Sequence, residues 1–160
     1  MAETELGSPI EASVWQADLF AHLTSHADAE RDILNEYVTA AEQTESKALS
    51  YLVNLLIEDE IRHHTLFEQL AKSLKTLAEL SGAEPEVPYV DFQKVDRSAV
   101  LEVNRRLLTR EREDRQELKR LQRELRSVKD STLWSLLVDV MRRDTEKHIA
   151  ILGFVEKHTR

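Results

Sequence analysis

Asp59 and His63 lie one helical turn apart, and 85 residues later Asp144 and His148 repeat the pair. The match extends along both segments, through Ser46/Ser131, Val53/Val138, Leu56/Met141, Arg62/Lys147, Leu66/Ile151 and Leu70/Val155. Both segments have helical apolar spacing, so an acid and an imidazole fall inside an apolar stripe. Such groups cost free energy on a covered face unless they are paired or bind something. Carboxylate oxygens and imidazole nitrogens suit a divalent cation such as iron or manganese. A polar layer satisfied within the protein is the competing reading. Glu60, with His63 three residues on, offers a second register for the first pair. Asp59 and Glu60 are both open as the acid.

Four long segments must position these groups. Apolar periodicity and capping residues predict helices at Ser8–Gln43, Ser46–Ser81, Ser98–Val128 and Ser131–His158, each within a few residues. Ser8-Pro9-Ile10-Glu11 reads as a capped start with proline at the first helical position. The stretch Thr24 to Asp28 could interrupt the first helix. Gly82 supplies a stop for the second, and Asp96 or Ser98 a cap for the third. The first and second segments, and the third and fourth, are joined by very short turns, which makes each pair an antiparallel hairpin. Residues 83–96 hold Pro85 and Pro88 and form a long connection. A segment of that length reaches roughly 46–50 Å when extended, enough to span a helix about 45 Å long. The expected fold is all-α, a four-helix bundle of two hairpins with one long crossover. It forms a single domain over 1–160, with residues 1–8 as a tail.

Depth within the hairpins then places the chemistry. With Glu45 as the first pivot, Glu30 and Glu60 each lie 15 residues away and fall at one level. With Asp130 as the second, Asp144 and His148 fall level with Glu111, Asp114 and Arg115. One layer holding Glu30, Glu60, His63, Glu111, Asp114, Asp144 and His148 is the candidate metal set. His64 and His158 read as surface residues, and Tyr37 as core.

Glu30, Tyr37 seven residues later, and Glu60-Ile61-Arg62-His63 together resemble the ferritin-like di-iron carboxylate superfamily, its rubrerythrin branch most of all. The resemblance implies Glu30, Glu60 and His63 as ligands of one iron. It places the equivalents on the third and fourth helices around a second. Glu60 would bridge, and Glu30 and one acid of the third helix would be terminal ligands. It also implies oxidase, peroxidase or iron-handling chemistry, with dioxygen, peroxide or metal ions as reactants. The fourth helix departs from the pattern. Its motif reads Thr145-Glu146-Lys147-His148, and Arg115 falls beside the layer.

Composition narrows the classes. The chain has 160 residues and no cysteine. Disulfides, thiolate zinc sites and a rubredoxin-type iron centre are therefore absent from it, and any reductase would be a separate protein. Met1 to Gln16 has no basic, apolar leader pattern, which fits a cytoplasmic protein. A net charge of −8 argues against binding nucleic acid over the whole surface, and no apolar run suits a membrane span. A homodimer is compatible with everything above. Helix three is very charged from Arg105 to Arg126 and reads as a solvated face laced with ion pairs. The rival functional class is a metal-free ferritin-like interaction module, in which Arg115 neutralises the acids.

Overall fold

A computed structural model describes residues 9–78, 82–129 and 132–160. Among these the protein is all-helical: α1 (Pro9–Gln43), α2 (Lys47–Ala78), α3 (Arg97–Leu125) and α4 (Thr132–Thr159), with no strand. That content is what a four-helix bundle requires. Ser8, Ser81, Asp130 and Ser131, expected as boundaries or a pivot, lie outside the described residues, as does the 1–8 tail. The helix α1 runs unbroken through Thr24 to Asp28.

Local chemistry sets the ends. In the α1–α2 turn, Thr44 Oγ1 accepts from the Ser46 amide at 3.1 Å, and Ser46 Oγ accepts from the Leu49 amide at 3.2 Å. Ser46 thus caps α2 by occupying an amide that has no carbonyl partner within the helix. Asp96, not Ser98, caps α3, accepting from Ser98 N at 3.0 Å and Ala99 N at 3.2 Å. The helix α3 ends at Leu125, three residues before Val128 and within the expected margin. After Leu125 the amides of Arg126, Ser127 and Val128 bond to carbonyls three residues back, and the helix tightens into a turn.

The chain forms two compact units, residues 1–89 and 90–160, each built on one antiparallel helical hairpin. In the first, the seam between α1 and α2 buries Ala27, Val53, Ala71 and Leu74. Gly82 has a φ of 69°, and the residues after it run back beside α2. The Val87 amide donates to Ser73 Oγ at 2.8 Å, and Lys72 pairs with Glu86 at 3.4 Å. In the second, the seam between α3 and α4 buries Leu108, Leu118 and Val138. Asn104 Nδ2 donates to the Leu152 carbonyl at 3.0 Å across that seam. Gln93 and Arg97 donate to the carbonyls of His158 and Thr159, each at 2.9 Å. A hairpin covers only the seam between its helices. The flanks of the apolar stripes remain exposed, including Leu56, Leu66 and Leu70 on α2 and Met141 and Ile151 on α4.

The Asp96 cap is open to a direct check. Asp96→Ala should cost about 1 kcal/mol of stability, seen as a lower urea midpoint. An unchanged midpoint would show that the carboxylate does not hold the start of α3.

Candidate metal centre

The hairpin register of the first unit brings Glu30 of α1 against Glu60 and His63 of α2. One ligand atom from each lies within 4.8 Å of the others. This is the one such group of three or more potential ligands among the described residues. Glu30 Oε2 and Glu60 Oε2 are both shut off from solvent and neither has a hydrogen-bond partner. His63 Nδ1 sits 3.6 Å from Glu60 Oε2, too long for a good hydrogen bond. The Glu60 side chain is largely covered at 18% exposure, whereas His63 is 45% exposed. Two hard oxygens and an imidazole nitrogen therefore converge on one point, with one side open to incoming ligands.

The Glu60 carboxyl is held above its ordinary value of 4.5. The largest cause is hydrogen bonding to the Glu30 carboxyl, followed by desolvation and by the Glu30 charge; His63 opposes the shift. Two carboxylates bond to each other only if one keeps a proton. With both ionised, their inner oxygens face each other with no donor between them, which is the orphaned state described above.

The surrounding side chains separate the two acids. Asp59 points away and pairs with Arg62 at 2.6 Å on the exposed face of α2. Asp144 likewise pairs with Lys147 at 2.7 Å along α4. The repeated aspartates are therefore matching i,i+3 ion pairs, and Glu60 is the acid that faces α1. His64, read from sequence as a surface residue, instead straps the hairpin together. Its Nδ1 donates to the Ala27 carbonyl at 3.0 Å, and its Nε2 lies 3.2 Å from Glu68. The signal was Ala27 itself, a small residue on the facing helix that lets the ring approach backbone. His26 stacks on Phe67 with ring centroids 5.3 Å apart, and His22 tilts against His26 at 4.7 Å. His158 is exposed, as expected, and stacks on Phe154. Tyr37 is half-buried on α1.

In the second unit the predicted residues meet in pairs. Glu111 Oε2 lies 3.2 Å from His148 Nδ1, and Thr145 Oγ1 donates to Asp114 Oδ2 at 3.0 Å. With Arg110, Leu118, Met141 and Asp144 these residues line an open cleft of about 450 Å³. Their ligand atoms do not gather into a three-residue group. Arg115 was expected beside Asp144 and Glu111, but its Nη1 reaches Glu146 Oε2 at 3.5 Å. Its Nε is inaccessible to solvent and has no acceptor. The charged face of α3 is only partly laced. Arg110–Glu113 and Arg120–Glu124 pair along the helix, while Arg105, Arg112, Lys119 and Arg123 have no ion-pair partner among the described residues.

The acid pair makes a pH dependence that can be measured. A carboxyl raised in the folded chain binds its proton more tightly there than in the unfolded chain. Its contribution to stability is fully present below the unfolded value and is lost as pH rises through the folded one. Asp139 is lowered, by Arg143 and then Arg142, and works in the opposite sense at lower pH. In chelator-treated protein, melting temperature should fall as Glu60 ionises on the way to neutral pH, and Glu60→Gln should remove that fall. Superimposable profiles for the two proteins would show that the acid pair carries no strain.

No helix among the described residues is long and apolar enough to cross a membrane. No protein-family model, curated protein or solved structure matches the chain.

Proposed function

We propose that Glu30, Glu60 and His63 hold a divalent transition cation, iron or manganese, and that the chain is a ferritin-like carboxylate metal protein. One observation carries this reading: the convergence of three ligand atoms within 4.8 Å around two inaccessible carboxylate oxygens that lack any donor. Buried polar atoms without partners are rare, and those that occur call for an explanation. A cation between Glu30 and Glu60 supplies it, because it replaces mutual repulsion with attraction to both. The donor set fits, since carboxylate and imidazole together suit these metals.

The residues divide the work. Glu30 and Glu60 supply the negative charge and fix the cation at the α1–α2 seam. His63, on the open side, adds a neutral nitrogen donor and leaves room for a small reactant. When bound, iron or manganese would supply redox chemistry with dioxygen or peroxide, or be cargo in iron handling. The chain has no cysteine, so an electron carrier built on thiolates would lie outside these residues. The ferritin-like architecture, two helical hairpins joined by the long 83–96 connection, is part of the same proposal.

Metal analysis of protein purified without chelator, followed by Mn²⁺ titration calorimetry, tests it. Glu30→Ala and His63→Ala should each weaken binding by more than about tenfold, since losing even a residue that only orients a ligand costs about 10–100-fold. Full occupancy retained in both variants would reject these residues as ligands. A wild-type chain that takes up no metal would favour the metal-free interaction module.

A further inference from the structure

The two hairpins are copies in a deeper sense than the aspartate–histidine repeat shows. The same 85-residue offset carries Glu30 to Arg115, Glu60 to Thr145 and His63 to His148. Burial runs in step with it. Val53 and Val138 are both buried, as are Leu74 and Thr159, and Tyr37 and Gln122 are both half-covered. Glu60 and Thr145 face the seam of their own hairpins, and Glu30 and Arg115 occupy matching half-covered positions.

The equivalent positions of the two hairpins carry opposite surpluses. Among the described residues, four inaccessible side-chain atoms lack a hydrogen-bond partner, and three of them lie here. In the first hairpin they are acceptors, Glu30 Oε2 and Glu60 Oε2; in the second it is a donor, Arg115 Nε. The other groups at these positions in the second hairpin are engaged. His148 is held by Glu111, and the Thr145 hydroxyl is shared between Asp114 and the Met141 carbonyl.

Resting on the metal reading of the first hairpin, we infer that the second is a copy of that site in which the Arg115 guanidinium is the built-in cation. The chain therefore takes one divalent cation, not two. Arg115 stands where the first carboxylate ligand would be. A guanidinium has only donors and no lone pair to offer a metal. Thr145 replaces the second carboxylate with a neutral hydroxyl. The positive charge that the first hairpin must take from solution is part of the chain in the second.

Mn²⁺ stoichiometry on the full chain tests the inference. Wild type should bind one ion, His63→Ala none, and His148→Ala still one. The double variant Arg115→Glu/Thr145→Glu restores the first hairpin's donor set around His148 and should bind two. Added to Glu30→Ala it should bind one. Circular dichroism reports whether each variant keeps its helix content. If the double variant does not fold, His148→Ala decides alone: one ion retained supports the inference, and a lost ion overturns it. A folded double variant that still binds one ion also overturns it and leaves the first site intact. A wild-type chain that binds none removes the underlying reading and this inference together.

Discussion

The constraint on which the rest of the structure depends is the meeting of two carboxylates at the α1–α2 seam. Two full charges within 4.8 Å repel by roughly 3 kcal/mol at an effective dielectric of about 20. Solvent at the open side reduces this. Burying a valine or leucine side chain contributes about 1.5–3 kcal/mol. The acid pair can therefore cancel about one core residue in a hairpin whose buried apolar set is small. A proton relieves the pair at low pH, as the raised carboxyl of Glu60 shows. A cation between the two carboxylates would relieve it without a proton, and His63 lies beside both.

What keeps the pair together is backbone, not attraction. The Thr44–Ser46 turn closes α1 on α2 with side-chain caps, and that turn fixes which residues share a level. Ala27 lets the helices approach closely enough for His64 to reach its carbonyl. The strap sits one turn from Glu30 on α1 and next to His63 on α2. The geometry of the acids is thus imposed by neighbours that have their own reasons to stay. Such a site is organised before any ligand arrives, so less ordering entropy opposes binding.

Much of this was legible in the sequence, for identifiable reasons. The helices are long and strongly periodic, and their caps are ordinary ones. The count from Glu45 to Glu30 and Glu60 needed only equal helical rise on both sides of a short turn. Side-chain direction was harder. Asp59 and Glu60 differ by about 100° around the helix, and only the position of α1 separates the surface ion pair from the acid that faces Glu30. Arg115 shows the same limit. Asp144 and Glu146 both lie near its level, but Asp144 turns along its own helix to Lys147, and the longer Glu146 reaches α3. Val128 continues the apolar period of α3 while its amide already bonds three residues back, so periodicity overran the helix.

The charge of each unit points the same way as its polar layer. Residues 1–89 hold 17 acidic and 5 basic residues, a net −12, and residues 90–160 hold 13 and 17, a net +4. Exposed charges more than a Debye length away, about 8 Å at physiological salt, are largely screened. The unit's field is therefore a correction, and the local donor set decides whether a cation binds. The correction still has a sign. It raises the local concentration of cations near Glu30 and Glu60 and lowers it near Arg115. A duplicated hairpin that kept both acids in both copies would need two cations to relieve its strain. On the proposed reading, a guanidinium in one copy makes that copy independent of metal supply, and leaves the other as the place where metal would be gained or lost.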